Sequence, residues 1–240
     1  MSTDNVIQNN FNRAKIVKNQ IIDVMTSLKE ISNSLPNKPD FSYDSALQAL
    51  QKRNCVISVC GEASLGKSHF INALIGKNIL PVNEHSTTSQ VFRVAWSEKE
   101  SYTLFFEDGS CEPLNDASEV AHYGTELEKT IGDERIKGRV LKYIGVKTPG
   151  KYLIPGVTFY DTPGLGSLHF SHDNITLNCL DESDAVLFFC STDRPFITAE
   201  MEFLNKVYRR TDNVLFIQSM ADMSDDEERE EIAEKLKNAL

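Results

Sequence analysis

The sequence feature that most constrains the fold is a glycine-containing octapeptide that follows a short apolar run. Residues 55–60 (CVISVC) are apolar and predict a buried strand. Residues 61–68 (GEASLGKS) follow directly and match the pattern GxxxxGK[ST], and residues 68–75 predict a helix that Gly76 ends. A strand, such a loop and a helix in this order are typical of a phosphate-binding loop. The sequence therefore predicts an α/β domain that binds a nucleotide.

The residue types of this loop suit phosphate oxygens. Glycines let the backbone curl so that successive N–H groups point inward, and the helix N-terminus adds the positive end of its dipole. Lys67 is expected to neutralise the β- and γ-phosphates, and the Ser68 hydroxyl to bind Mg²⁺. The side chain of His69 is expected to be solvated or structural. The candidate nucleotide-binding residues here are Gly61, Glu62, Ala63, Ser64, Leu65, Gly66, Lys67, Ser68 and His69.

A second candidate segment is residues 161–164 (DTPG), directly after a strand predicted at residues 157–160. An acidic residue at the tip of a strand beside the phosphate loop can hold Mg²⁺, usually through water, which is the expected role of Asp161. The N–H group of Gly164 can reach the γ-phosphate. The alternative is an ordinary turn, since Asp, Pro and Gly are good turn residues. The position of the segment behind the loop favours the site.

Residues 219–222 (SMAD) form a candidate base-reading segment after a strand predicted at residues 214–218. In guanine sites a carboxylate accepts hydrogen bonds from N1–H and the N2 amino group, usually within the pattern [NT]KxD. Asp222 has the spacing of that carboxylate, but Met220 stands at the lysine position and Ser219 at the Asn or Thr position. A methionine stem can cover a ring face but brings no charge. An ordinary acidic loop and a preference for ATP therefore stay open as alternatives.

The composition excludes several classes of protein. The 240 residues contain 25 Lys and Arg against 35 Asp and Glu, and the net charge of −10 argues against a nucleic-acid partner. No run approaches the roughly 18–20 apolar residues of a membrane span, and the N-terminus lacks the apolar core of a signal peptide. The five cysteines form no CxxC pair and are expected to be small core residues of a reduced, cytoplasmic protein.

Two patterns divide the chain. In residues 1–36 the apolar positions recur at steps of three and four, which predicts one long helix with a coiled-coil-like seam. Residues 37–52 are expected to be a linker, and residues 53–240 a domain in which strands alternate with helices around a mainly parallel sheet. The predicted strands are 55–60, 91–95, 102–106, 143–147, 157–160, 185–190 and 214–218, and the predicted helices are 68–75, 116–130, 198–209 and 225–240. The seam consists of Ile7, Phe11, Ala14, Val17, Ile21, Val24, Leu28, Ile31 and Leu35.

Five segments together resemble the bacterial dynamin-like GTPases. The resemblance covers about residues 53–230 and implies a mixed-sheet, P-loop GTPase domain that is larger than the Ras type. It also implies hydrolysis of Mg-GTP to GDP and phosphate, a nucleotide-dependent homodimer across the GTPase face, and coupling to membrane shape. The segments are residues 61–81 (GEASLGKSHFINALIGKNILP), 86–94 (STTSQVFRV), 105–110 (FFEDGS), 152–167 (YLIPGVTFYDTPGLGS) and 184–204 (DAVLFFCSTDRPFITAEMEFL).

The resemblance also implies roles for particular residues. Thr88 is implied as the switch-I threonine, which would bind Mg²⁺ together with Ser68 and Asp161, while Thr87 remains an alternative one residue away. Lys67, Ser64 and Thr88 are then the candidate catalytic residues.

Departures from the family pattern leave two functions open. Leu165 stands where Ras-type enzymes carry the water-orienting glutamine, so the water would be positioned by the switch-I backbone, by Ser64 or by a partner in trans. Ala63 stands where dynamins carry glutamine. A GTP-hydrolysing enzyme is the favoured interpretation. A non-hydrolysing scaffold, in which the nucleotide only biases assembly, is the alternative. Possible arginine fingers are Arg93, Arg194 and Arg209, for each of which a solvated surface role is expected.

The resemblance implies further parts that this sequence does not contain. A dynamin GTPase domain continues past the base-reading loop to another strand, a ribose-side loop, a helix and a helical bundle with a membrane-binding tip. We expect the first helix to belong to such a bundle, to expose its seam in this chain and to promote self-association. A peripheral membrane association would then depend on the absent parts.

Overall fold

A computed structural model places the chain in two compact units. The described residues are 3–34, 42–52, 55–82, 90–124, 136, 138–164, 170–192 and 198–239. The first unit spans Met1–Asn54 and the second spans Cys55–Leu240. The boundary therefore lies two residues beyond the segment that was expected as a linker.

Two helices form the first unit. Helix α1 is Thr3–Ser34 and helix α2 is Tyr43–Lys52, so much of the segment 37–52 is helical rather than a linker. Asp44 lies in the first turn of α2, where a carboxylate is favoured by the helix dipole, and it pairs with Lys29 of α1. Leu47 of α2 and Ser32 of α1 are buried. Sequence-based prediction missed α2 because the prolines and polar residues just before it favour a linker, although Tyr43, Leu47 and Leu50 recur at helical spacing.

The described half of the predicted seam on α1 is exposed. Five seam residues have 43–58% of their surface exposed, namely Val17, Ile21, Val24, Leu28 and Ile31. The 32 residues of α1 give a helix of about 48 Å, against which the ten residues of α2 can pack only in part. A row of large apolar side chains in water is typical of an interaction surface.

The second unit is built on one eight-stranded sheet with the order β4-β3-β5-β2-β6-β1-β7-β8. The pairs β1–β6, β1–β7, β2–β5 and β7–β8 are parallel, and the pairs β2–β6, β3–β4 and β3–β5 are antiparallel. This confirms the predicted α/β class with a mixed, mainly parallel sheet. The strands are β1 (Cys55–Gly61), β2 (Phe92–Trp96), β3 (Ser101–Phe106), β4 (Cys111–Leu114), β5 (Leu141–Thr148), β6 (Val157–Asp161), β7 (Ala185–Ser191) and β8 (Val214–Ser219).

Helices cover both faces of this sheet. Successive strand residues point to opposite faces, so Val59 and Cys60 of β1 belong to different clusters of buried side chains. Helices α3 (Lys67–Ile75) and α4 (Ala117–Gly124) contribute side chains to the same cluster as Val59, and helices α5 (Phe170–Asp181) and α6 (Thr198–Tyr208) contribute side chains to the same cluster as Cys60. Helix α7 (Asp226–Ala239) follows β8. Among the helices in the described ranges, none combines the length and the apolar character needed to cross a membrane.

Several elements differ from the sequence-based predictions. Helix α4 occupies the first part of the helix predicted at 116–130, and residues 125–135 lie outside the described part of the chain. The sequence pattern provided no bounds for β4, although residues 105–110 resemble the turn of a hairpin, and it did not indicate α5. Strand β4 contains Pro113, which is tolerated because β4 is an edge strand. The sequence of α5, FSHDNITLNCLD, mixes polar and apolar residues without a clear helical period, so the periodic signal is weak.

We predict that the exposed seam drives self-association of the chain. The double variant Val24→Glu/Leu28→Glu should shift the chain toward the monomer, because charged side chains prevent burial of the seam. Light scattering at several protein concentrations measures this directly. The control is Asn19→Glu, which adds one charge to α1 outside the seam and should leave the size distribution unchanged. Equal distributions for the seam variant and the wild type would contradict the prediction.

Candidate nucleotide-binding site

The site is placed by four neighbouring parallel strands. Strands β6, β1, β7 and β8 lie side by side and run in the same direction, so their carboxyl ends meet at one edge of the sheet. The last residues of these strands are Asp161, Gly61, Ser191 and Ser219. The three segments that the sequence singled out therefore begin at the same edge. Ligands of open α/β sheets bind at this edge.

The phosphate loop turns sharply where it leaves β1. Gly61 has a φ of 141°, and a Cβ atom there would lie 2.4 Å from the carbonyl oxygen of Phe189 in β7, so only glycine fits. Gly66 has a φ of 81° and directly precedes helix α3. Ser64, at the tip of the loop, is exposed and has a φ of 62°. Such a left-handed residue is often seen where backbone strain serves a binding site.

Lys67 is a buried cation that is held by its own loop. Only 6% of its surface is exposed, and its Nζ donates hydrogen bonds to the carbonyl oxygens of Gly61 at 3.0 Å and Glu62 at 2.6 Å. Burial lowers the pKa of this ammonium group, and the negative charge of Asp161 opposes that shift. The loop carbonyls therefore hold the ammonium group against the backbone of the phosphate loop.

Asp161 is the matching buried anion. Its Oδ2 accepts a hydrogen bond of 2.6 Å from the Ser68 hydroxyl, while its Oδ1 is buried without a hydrogen-bond partner. Burial raises the pKa of Asp161 from 3.8 to about 6, against the opposing effects of Ser68 and Lys67. A buried carboxylate oxygen without a partner is costly in an apoprotein. A divalent cation such as Mg²⁺ favours carboxylate and hydroxyl oxygens, so this pair of side chains fits a magnesium site.

The segment 161–164 lies against the tip of the phosphate loop. A Cβ atom on Gly164 would come within 2.8 Å of the backbone N, the Cα and the Cβ of Ala63, so the two backbones are in close contact. Thr162 is fully buried and donates its hydroxyl hydrogen to the carbonyl oxygen of Val59 at 2.8 Å. The backbone of Gly164 therefore lies beside the phosphate loop, and its contact with the γ-phosphate stays a prediction.

The candidate base-reading loop begins where β8 ends. The Ser219 hydroxyl donates to the carbonyl oxygen of Cys190 at 3.1 Å, and Met220 is left-handed with a φ of 58°. Asp222 is exposed in a short 3-10 helix, Ala221–Met223. The Arg229 guanidinium of α7 donates two hydrogen bonds, of 3.1 and 2.7 Å, to the carbonyl oxygen of Ser224. Both ends of the loop are therefore attached to the domain.

The structure brings together most of the candidate residues, but some lie outside the described ranges. Glu62, Leu65, Gly66 and Ser68 lie in the loop or at the start of α3, where the exposed side chain of His69 is also found. Thr87, Thr88, Leu165 and Arg194 lie outside the described residues, so their predicted roles stay predictions.

Arg93 is held between a glutamate and two tyrosine rings. Its Nη2 lies 2.9 Å from Glu182 Oε2, and its guanidinium carbon lies 3.8 Å and 4.4 Å from the ring centroids of Tyr143 and Tyr160. The Tyr160 hydroxyl donates to the same glutamate oxygen at 2.8 Å. Arg93 therefore joins β2 to the end of α5, a role that its residue type alone did not indicate. Arg209 is exposed.

Sequence reasoning missed two buried threonines at this edge of the sheet. Thr162 was treated only as part of a motif, although its hydroxyl attaches that motif to β1. Thr192 was not singled out, although it is 2% exposed and its hydroxyl donates to the carbonyl oxygen of Ser219. Both contacts join residues that are far apart in the sequence. The sequence offers one weak signal for such residues, which is a threonine placed directly after a predicted strand or after the acidic residue that ends the strand.

The fold and the loop geometry are those of a P-loop GTPase-type domain. The model of the dynamin family matches residues 57–237, which is most of the chain. The chain therefore belongs to the dynamin family and contains a portion of its GTPase domain. This confirms the resemblance that the sequence motifs indicated.

Individual relatives agree with the family assignment. An uncharacterised protein from Caldicellulosiruptor sp. is 27% identical over 94% of this chain and 55% of its own length. A bacterial dynamin-like protein from Nostoc punctiforme is 26% identical over 72% of this chain and 25% of its own length. The chain thus spans between a quarter and about half of these relatives.

A solved structure supports the fold. It is described as an oligomerised bacterial dynamin pair that provides a mechanism for long-range sensing and tethering of membranes. Its TM-score with this chain is 0.60, at 18% identity, covering 93% of this chain and 39% of that one. At this level of identity the match shows the fold alone.

We predict that the charge of Asp161 destabilises the nucleotide-free chain at neutral pH. Because its folded pKa is raised to about 6 from 3.8, the cost is absent below pH 4, grows as the pH rises, and is complete above pH 6. Asp161→Asn should therefore be more stable than the wild type at pH 7, by up to about 3 kcal/mol, and equally stable near pH 4. Thermal melts across this pH range measure the difference.

The control for this prediction is Asp212→Asn, which removes an exposed carboxylate from the same unit. Its difference from the wild type should stay constant across the same pH range. A constant difference for Asp161→Asn as well would show that the carboxylate is not destabilised by burial.

Proposed function

We propose that this chain binds Mg-GTP and hydrolyses it to GDP and phosphate, as the GTPase part of a dynamin-like protein. The observation that carries this proposal is the pair of buried opposite charges, Lys67 and Asp161, beside the curled loop 61–68. Lysine and aspartate side chains are almost never fully buried unless each is paired with a group that compensates for the lost water. Membership of the dynamin family supports the same function.

The loop and α3 would bind the phosphates. The backbone N–H groups of residues 62–68 and the N-terminus of α3 would surround the phosphate oxygens, and Lys67 would neutralise the β- and γ-phosphates. Ser68 and Asp161 would hold Mg²⁺, with Thr88 as the proposed third protein ligand. When bound, the ion supplies positive charge that stabilises the negative charge developing on the transferred phosphoryl group.

Hydrolysis would depend on positioning rather than on a strong base. Phosphoryl transfer has a largely dissociative transition state, so charge stabilisation and alignment of the water provide most of the rate. Gly164 would direct its N–H group to the γ-phosphate from beside Ala63. Ser64 is the residue at the loop tip whose side chain could contact the attacking water, since the residue is exposed.

Asp222 would select guanine. Its exposed carboxylate follows β8 at the same sheet edge as the phosphate loop. A carboxylate accepts hydrogen bonds from N1–H and the N2 amino group of guanine, whereas adenine presents an acceptor at N1. Met220, which is 42% exposed, would cover one face of the base without a charge. We therefore expect a weaker preference for guanine than in a domain that has the lysine.

The proposed partners are a second copy of the chain and a membrane. The related structure is an oligomerised bacterial dynamin pair, described as sensing and tethering membranes, and this supports nucleotide-dependent dimerisation and membrane remodelling as proposals for the whole protein. A cytoplasmic location, peripheral to the membrane, is part of the same proposal. The exposed seam of α1 is a surface through which such assembly could be coupled to the nucleotide.

A non-hydrolysing nucleotide-binding scaffold is the second candidate function. Leu165 favours it, because an aliphatic side chain at the position of the usual glutamine cannot orient water. In such a scaffold GTP would stabilise an assembled state without being consumed.

Replacement of Lys67 tests the proposed function. Lys67→Ala should lower the affinity for GTP at least about a hundredfold, because the phosphates lose hydrogen bonds to a buried cation. Titration with a fluorescent GTP analogue measures the binding, and phosphate release on the wild type distinguishes the enzyme from the scaffold.

The control is Lys77→Ala, which removes an exposed lysine that pairs with Glu100. It should bind GTP within a few-fold of the wild type. Binding by Lys67→Ala that equals the control would rule out the phosphate-loop function.

A further inference from the structure

Thr192 lies outside the three candidate motifs, yet it is built into the edge of the sheet where the site lies. It directly follows β7 and is only 2% exposed. Its hydroxyl donates a hydrogen bond to the carbonyl oxygen of Ser219, the last residue of β8. A threonine side chain thus reaches from the end of one strand to the end of the next.

This contact continues the pairing of β7 and β8 beyond the last backbone rung. The parallel ladder ends at the pair Ser191–Ser219. Past that point the Thr192 hydroxyl donates to Ser219, and the Ser219 hydroxyl donates back to the carbonyl oxygen of Cys190 at 3.1 Å. These two reciprocal hydrogen bonds fix the place at which the chain leaves β8.

The chain direction after Ser219 determines where Asp222 lies. Met220 is left-handed with a φ of 58°, and the 3-10 helix with Asp222 follows at once. Few conformations remain for so short a connection when both its start and its backbone turn are fixed. At the other end, Arg229 holds the carbonyl oxygen of Ser224. The position of the Asp222 carboxylate therefore depends on how Ser219 is held.

Strand β7 also contacts the phosphate loop. Gly61 pairs with Phe189, whose carbonyl oxygen lies 2.4 Å from the position of a Cβ atom on Gly61. In the described part of the sheet, β8 has β7 as its one neighbouring strand. The separation between the phosphate loop and Asp222 is therefore set through the end of β7, where Thr192 lies.

We propose that Thr192 is a positioning residue that sets the base selectivity of the nucleotide site by holding Ser219, and through it Asp222. This inference rests on the proposed function, because it takes Asp222 as the group that contacts the base. Two hydrogen bonds to guanine need a carboxylate that is correctly placed in both distance and angle. Because position 220 has no lysine, the placement of the Asp222 carboxylate depends more on hydrogen bonds that hold the loop backbone, such as the one from Thr192.

Comparison of guanine with hypoxanthine measures whether the Asp222 carboxylate is correctly placed. It keeps N1–H but lacks the N2 amino group, so it can donate only one of the two hydrogen bonds to Asp222. Because a hydrogen bond to a charged group contributes strongly, the wild type should bind GDP roughly tenfold more tightly than IDP. If the Asp222 carboxylate is displaced, it loses the second hydrogen bond to guanine. The ratio of the GDP affinity to the IDP affinity, the GDP to IDP ratio, then falls.

The test compares GDP and IDP affinities of the full chain by displacement of a fluorescent GDP analogue. Thr192→Val keeps the shape of the side chain and removes the donor, so the ratio should fall to within about threefold of unity. Thr192→Ser restores the hydroxyl and should keep most of the wild-type ratio. Thr148→Val is the matched control, since it removes the hydroxyl of another fully buried threonine, which donates to Glu100 at 3.3 Å far from Asp222. It should leave the ratio unchanged.

The outcomes separate this inference from the proposed function. If Asp222→Ala abolishes the GDP to IDP ratio while Thr192→Val keeps it, guanine binding stands and the role of Thr192 is overturned. An equal fall in Thr148→Val would also overturn it, since the effect would then be a general loss of stability. If the wild type binds no guanine nucleotide, the proposed function itself fails.

A second variant covers the case in which Thr192→Val does not fold. Ser219→Ala removes the reciprocal hydrogen bond to Cys190 from the other side of the same junction. It should lower the GDP to IDP ratio in the same direction, and a ratio equal to that of the wild type would contradict the inference.

Discussion

The site depends on two opposite charges that are buried together at the edge of one sheet. An isolated buried ion would be very costly, so Lys67 and Asp161 can be retained only if their surroundings compensate for the lost water. The carbonyl oxygens of Gly61 and Glu62 and the hydroxyl of Ser68 provide that compensation. It is incomplete, since Asp161 Oδ1 has no hydrogen-bond partner, and this leaves a place for a cation or water. The curled loop, the glycine at the end of β1 and the neighbouring position of β6 all serve to bring these two charges together.

Much of this arrangement could be predicted from the sequence because its signals are local. The loop, its lysine and the following helix are contiguous, so residues 61–75 could be recognised without knowledge of the remaining fold. Asp161 and Asp222 could be placed at the same edge because each follows a predicted strand and parallel strands end together. The strand alternation likewise predicted the α/β class, which the eight-stranded sheet confirms.

The remainder could not be predicted, because it depends on contacts between distant parts of the chain. The hydrogen bond from Thr192 to Ser219 joins residues 27 positions apart, and the one from Thr162 to Val59 joins residues 103 positions apart. In their immediate sequence, only the position just after a strand or its terminal acidic residue distinguishes these threonines from ordinary loop residues, and that signal is weak. Helix α2 was missed for another reason, since the two prolines and the polar residues just before it favour a linker over a helix. Membership of the dynamin family leads us to expect a bound nucleotide. The geometry of the site indicates which side chains would hold it.

The most direct test is a crystal structure of the full chain with GDP and Mg²⁺. The account predicts phosphate oxygens within hydrogen-bond distance of the backbone N–H groups of residues 62–68 and of Lys67 Nζ. It also predicts that the metal lies beside Ser68 and Asp161, and that guanine N1 and N2 lie within reach of the Asp222 carboxylate. A nucleotide bound elsewhere on the sheet, or phosphates in the loop with the base turned away from Asp222, would contradict it.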